Sequence, residues 1–184
     1  MNSNIKQLLN EIDNDNQIVE EAMMDQPTNN ILIIVGTGHR INRYPEGQGS
    51  KAVPQFDDAE VQAMREAFAK RIIDANEEYD EVIYFNGHAH GFDTASRQIA
   101  EKVLGEDNVK SRHPNYYTPG RNAWEVIGKK AGFWRNHRML EEAQKLAAKK
   151  GAQIECLAWI AKDEFSGSKH CAQAAIKKNI KTVC

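Results

Sequence analysis

The residues best suited to chemistry fall in one run, Asn86-Gly87-His88-Ala89-His90-Gly91-Phe92-Asp93. It lies between a short apolar stretch at 82–85 and a helical pattern, so it reads as a strand-to-helix loop. Two glycines flank the turn. Amides at the start of the following helix point back into the loop, and the helix dipole adds partial positive charge, which suits an anion. Asp93 has three roles open to it: a helix cap, an acceptor for a ribose hydroxyl, or a general base. His88 and His90 alternate along the chain. With Asp93 they would supply two imidazoles and a carboxylate, a set able to hold a zinc ion.

Three further segments carry compatible chemistry. Gly36-Thr37-Gly38-His39-Arg40 follows the apolar run 31–35, and glycine there lets backbone approach a ligand or take positive φ. The full dinucleotide fingerprint is absent, because Ile41 stands where a third glycine belongs and a long polar loop through Arg43, Gly47 and Gly49 follows. Phe165-Ser166-Gly167-Ser168-Lys169-His170 precedes a helical pattern and has the form of a phosphate cradle. Arg135 and Asn136 fall near the start of a helix predicted from residue 134. There a guanidinium can fork onto a phosphate or carboxylate, and an amide can both donate and accept. The alternative is that Arg135 pairs with a neighbouring carboxylate while Trp134 fills the core.

The elements that must position these loops alternate. Strands are expected at 31–35, 82–85, 109–112, 154–160 and 181–183, and helices at 59–75, 93–104, 134–150 and 168–178, the first capped by Asp57 or Asp58. Strand alternating with helix, with nearly continuous apolar strands, predicts a Rossmann-like three-layer α/β sandwich on a mostly parallel five-stranded sheet. In such sheets ligands bind beyond the carboxyl ends of the strands, where all of these loops would gather. Ahead of this domain, residues 1–30 read as an extra N-terminal helical arm and linker. Ile5, Leu8, Leu9, Ile12, Ile18, Ala22 and Met23 form one apolar face, and Pro27 lies in the polar linker that follows. The arm either packs on residues 31–184 or docks on a second subunit.

Composition narrows the choices. With 184 residues, 41% of them hydrophobic, the chain can bury one core of ordinary size. Lys+Arg 24 against Asp+Glu 26 gives a formal charge of −2, so there is no global positive field to hold long nucleic acid. The longest apolar run, at 156–161, falls far short of the ~20 residues a membrane span requires, so no membrane partner is expected. The first ten residues lack the apolar stretch of a secretory signal. Cys156, Cys171 and Cys184 are odd in number and contain no C-x-x-C pair, as expected for reduced thiols in a cytoplasm.

Two motifs together carry a family resemblance. The x-G-x-A-x-G-x-D pattern of residues 86–93 resembles the glycine-rich motif of the SLOG superfamily, which joins the DNA-processing DprA proteins to the LOG cytokinin-activating hydrolases. The run Gly128-Lys129-Lys130-Ala131-Gly132-Phe133-Trp134-Arg135-Asn136-His137-Arg138-Met139-Leu140 is similar to the G-K-x-A-G-P-x-R-N-x-x-M-L signature of its YspA-like branch. With the strand opening Val35-Gly36-Thr37-Gly38-His39-Arg40, the resemblance spans residues 31–184. It implies a nucleotide or nucleotide derivative as ligand and a homo-oligomer.

The ligand contacts expected on this basis come from four segments: Gly36, Thr37, Gly38 and Arg40; Asn86, Gly87, His88 and Gly91; Lys129, Arg135 and Asn136; and Gly167, Ser168 and Lys169. Asp93 is the candidate catalytic group for cleavage or transfer at an N-glycosidic bond. The LOG hydrolases carry P-G-G-x-G-T-x-x-E in the third loop. Here only Gly167 remains, Lys169 and His170 replace glycine and threonine, and Gln173 stands in place of the glutamate, so binding is expected ahead of turnover. No cofactor is implied. The alternatives are DprA-like binding of single-stranded DNA through Arg112, Tyr116, Tyr117, Arg121, Trp124, Lys129 and Lys130, and a zinc-dependent hydrolase built on His88 and His90.

Overall fold

A computed structural model describes residues 30–38, 58–89, 91–160 and 167–183. The expected N-terminal helix, Asp57 and Cys184 lie outside the described residues. The central strand β1 (Ile31–Gly38) is followed by α1 (Asp58–Glu78), β2 (Glu81–Asn86), α2 (Phe92–Leu104) and the short β3 (Val109–Ser111). A tight turn at Pro114–Tyr117 and the short α3 (Ala123–Ile127) lead to α4 (Ala131–Lys150), β4 (Gln153–Trp159), α5 (Gly167–Lys177) and β5 (Lys181–Val183).

The five strands pair in the order β3-β2-β1-β4-β5, and every pairing is parallel. The chain first winds outward from β1 to β3, then crosses back to β4. Because crossovers are right-handed, that reversal sends the later helices to the opposite face. Alternate residues of β1 record it. Leu32 and Ile34 pack with Met64, Phe68 and Ile72 of α1 and Phe92 and Ala100 of α2. Ile33 and Val35 pack with Met139, Leu140 and Ala143 of α4 and Cys171 and Ala175 of α5. Both faces of β1 are therefore core, which explains its unbroken apolar sequence, and the chain forms the expected Rossmann-like three-layer sandwich. Among the described residues no helix is long and apolar enough to cross a membrane.

One element boundary differs in a way that bears on the site. The sequence ends the first strand at Val35 and places Gly36, Thr37 and Gly38 in a loop. In the structure β1 continues through Gly38, with Gly36, Thr37 and Gly38 in register with Leu157, Ala158 and Trp159 of β4. A side chain at Gly36 would overlap the Tyr84 ring, and one at Gly38 would overlap Phe92. These two glycines thus let aromatic rings of the neighbouring elements lie against the strand. Tyr84, fully buried, donates its hydroxyl to Ser96 Oγ at 2.7 Å and fastens α2 to β2.

Candidate functional site

The carboxyl end of β2 is shaped by Asn86. Its buried side chain accepts the His88 N–H at 2.9 Å and donates to Ser111 Oγ at 3.0 Å, and its carbonyl accepts the Arg112 N–H at 2.8 Å. The loop is thereby tied to β3 and folded back on itself. His88 takes φ 52°, a left-handed conformation unusual for a residue with a side chain, and its imidazole is exposed. Gly91, at φ 93°, makes the entry into α2.

Asp93 stands in the first turn of α2, buried. Its Oδ2 accepts the Ala89 N–H at 3.1 Å, and the Gly87 N–H also donates to the carboxylate. Asp93 therefore binds the loop instead of capping its own helix, whose N-cap, Gly91, makes no side-chain hydrogen bond. Burial pushes the Asp93 carboxyl above its ordinary range, and the Arg135 charge and the loop amides offset only part of that.

Arg135 faces it from α4. Its Nη1 lies 3.6 Å from Asp93 Oδ2 and donates a long 3.5 Å bond to the Arg112 carbonyl. Its Nε is buried and has no hydrogen-bond partner. The residue is 8% exposed, so among the described residues this Nε is a buried donor left without an acceptor. It rests against Gly87, where any Cβ would collide with it. The sequence placed Arg135 and Asn136 at a helix start, but α4 begins at Ala131, because a tight turn at Gly128–Lys130 runs directly into it. Both residues project from the second turn, where backbone amides are already used, so any anion contact there falls to the side chains.

Asn136, also buried, donates from Nδ2 to the Gly167 carbonyl at 3.0 Å. The consecutive side chains of Arg135 and Asn136 thus link the loop after β2 to the start of α5. Ser168 is buried in the first turn of α5, and Lys169 is half-buried beside it. Thr37 at the end of β1 is buried and hydrogen-bonds the Cys171 thiol, which also bonds Cys156. The expected contacts on β1, β2, α4 and α5 are therefore joined by a chain of direct interactions. Arg40 and His90 lie outside the described residues, as does the Lys129 side chain. Gln173 is exposed on α5.

A second cluster, unanticipated as a unit, supports the first. Arg112 makes a two-pronged ion pair with Glu142 of α4, with Nε at 2.9 Å from Oε2. The Tyr117 hydroxyl donates to the same carboxylate at 2.7 Å, and Tyr116 lies under the guanidinium at 4.1 Å. Two of the groups offered for single-stranded DNA, Arg112 and Tyr117, are thus engaged within the protein. Tyr116 and Trp124 remain exposed. Beside Arg112, His113 caps the turn at Pro114–Tyr117, its Nδ1 accepting the Asn115 N–H at 3.3 Å. The His113 and His88 rings meet edge to face at 6.2 Å. His113 was overlooked in the sequence. The dipeptide His113-Pro114 signals a turn, but nothing local places it beside His88. Among the described residues no group of three His, Cys, Asp or Glu side chains is arranged to hold a metal ion.

The strand order and the helices on both faces define a Rossmann-like α/β sandwich, with its candidate site at the carboxyl edge of the sheet. No protein-family model matches the chain, and no curated protein or solved structure matches it.

Proposed function

We propose that the protein binds a nucleotide or nucleotide-derived small molecule at the carboxyl edge of its sheet, with Arg135 anchoring an anionic group. One observation carries this reading: a guanidinium buried beside the loop motif, with Nε unpartnered and, among the described residues, long contacts on Nη1. Burying such a group without partners costs on the order of 1–3 kcal/mol or more, which a phosphate or carboxylate would relieve by taking two of its donors. The resemblance of residues 86–93 and 128–140 to the SLOG motifs favours a nucleotide over other anions.

Asp93 is the carboxylate available if the ligand is consumed. Its buried position, with the carboxyl held above its ordinary range, suits a group that takes and returns a proton. In hydrolysis of an N-glycosidic bond, water oxygen would bond to the anomeric carbon while Asp93 accepted the proton released from water. The carbon–nitrogen bond would break, its electron pair leaving with the base, which would then be protonated. Binding ranks ahead of this step because, among the described residues, Asp93 is the one suitable carboxylate at the site.

The resemblance also implies a homo-oligomer, which sedimentation would read directly. Cys156 and Cys171, buried and not joined in a disulfide, favour a reducing compartment such as a cytoplasm. The functional test is native mass spectrometry of freshly purified protein, followed by incubation with nucleoside monophosphates and NAD-type compounds. A co-purifying nucleotide, or saturable binding of an added one, is expected. Release of free base that disappears in Asp93→Asn would add the catalytic step. Absence of any nucleotide binding would contradict the proposal.

A further inference from the structure

We infer that His88 and His113 complete the anion site around Arg135, so that the group bound there is a dianion, such as a terminal phosphate, held by one guanidinium and two imidazoles. This rests on the proposed function and specifies the ligand class of the same site.

The three side chains come from three segments that meet only in the fold: the loop after β2, the turn after β3, and the second turn of α4. Arg135 contacts the Arg112 carbonyl, immediately before His113, and lies over Gly87, immediately before His88. The two rings are in contact at 6.2 Å. The Asn115 amide occupies His113 Nδ1, so neutral His113 carries its proton on Nε2 and offers a donor there. His88 is held in a left-handed backbone conformation that costs a non-glycine residue on the order of 1 kcal/mol. The Asn86 side chain enforces that conformation, and the imidazole it presents is the one beside His113.

Among the described residues, the charged groups around this pair are few. Arg135 faces it from α4, Asp93 of α2 lies behind Arg135, and Arg112 is neutralised by Glu142. Desolvation lowers the proton affinity of His113, and the neighbouring His88 and Arg135 lower it further. A dianion among the three would reverse the last two effects. Binding should therefore draw a proton onto His113, and affinity should rise as pH falls through the histidine range.

The probe is sulfate, which stays doubly charged across this range, with AMP as the nucleotide comparison. Binding is measured calorimetrically on the full chain at about pH 5.5 and about pH 7.5, either side of the ordinary histidine value, in buffers of different ionisation enthalpy. The wild type should bind sulfate roughly 3–10-fold more tightly at the lower pH, with net proton uptake. His88→Asn with His113→Asn is the matched variant: asparagine tolerates the left-handed conformation at 88, and its carbonyl can keep the cap at 113. In that double variant the pH dependence and the proton uptake should vanish. A pH-independent wild type, or a double variant that keeps the wild-type profile, would overturn the inference. If AMP binding that depends on Arg135 persists in that case, the proposed function stands. Failure to bind sulfate at either pH also overturns the inference, and failure to bind AMP as well removes the proposed function with it.

Discussion

Two arginines pack beside the same loop and live under opposite rules. Arg112 is well engaged, with Glu142 accepting from two of its nitrogens, Tyr117 bonded to that carboxylate, and Tyr116 covering the guanidinium face. Arg135 is more deeply buried, yet it has a distant Asp93, one long bond to a carbonyl, and an Nε with nothing. Geometry this good in the first pair is what a structural ion pair requires. The second pair leaves donors unused at the edge of the sheet where ligands of such folds bind. Proximity of opposite charges does not distinguish the two, but hydrogen-bond satisfaction does.

Several substitutions would break or sharpen that contrast. The largest effect is expected from Arg135→Gln, which should weaken nucleotide binding by about 100-fold, the scale of a lost bidentate charge-assisted contact, while stability changes by no more than about 1 kcal/mol. Arg112→Ala should do the reverse, removing about 2 kcal/mol of stability in urea denaturation because Glu142 and Tyr117 lose their partner, with ligand affinity reduced much less. Equal losses of stability in the two variants would erase the distinction. Gly87→Ala tests the contact that positions Arg135. The added methyl must push the guanidinium aside, so affinity should fall about tenfold, roughly 1.4 kcal/mol, with the fold intact by circular dichroism. Tyr117→Phe should cost about 1 kcal/mol, the net worth of one hydrogen bond to a charged group at a partly exposed position.

The same contrast predicts opposite responses to acid. Burial works to raise the Glu142 carboxyl, but Arg112 and the Tyr117 hydroxyl together outweigh it and hold the group below its ordinary range. Its stabilising contribution is therefore present above the ordinary glutamate value and is lost as pH falls through the lowered one. Asp93 is raised, so the folded protein binds that proton more tightly than the unfolded chain. Its contribution improves on acidification and worsens as pH rises through the raised value. Glu142→Gln should thus unfold at lower urea than wild type at neutral pH, with the difference shrinking in acid. Asp93→Asn should unfold at no lower urea than wild type. A destabilised Asp93→Asn would mean that the carboxylate is held for the fold and not for a ligand.

Most of the fold was legible because its signals are local. The apolar runs at 31–35 and 156–160 mark buried strands, and all five expected strands and the four long helices are present within a few residues. The candidate site was legible only in part. Asn86, Gly87, Asp93, Arg135 and Asn136 are drawn into one connected network, but the glycines also have a packing role that the sequence does not show. Gly36 and Gly38 make room for Tyr84 and Phe92, and Gly87 for Arg135, partners about 50 residues away in sequence that no local pattern announces. The pairing of Arg112 with Glu142 spans 30 residues and was invisible for the same reason. His113 carries no local signal for the site, and its place beside His88 appears only when β3 lies beside β2.

The most direct measurement follows the two arginines together. Nitrogen-edited NMR of arginine side chains, with Arg135→Lys and Arg112→Lys used for assignment, reports each Nε–H during titration with AMP. The Arg135 Nε–H, unbonded in the free protein, is expected to shift strongly and to become protected from exchange as ligand binds, while the Arg112 resonance, already paired with Glu142, stays nearly still. An Arg135 resonance that is indifferent to AMP, or a response confined to Arg112, would contradict the assignment of Arg135 as the anchor.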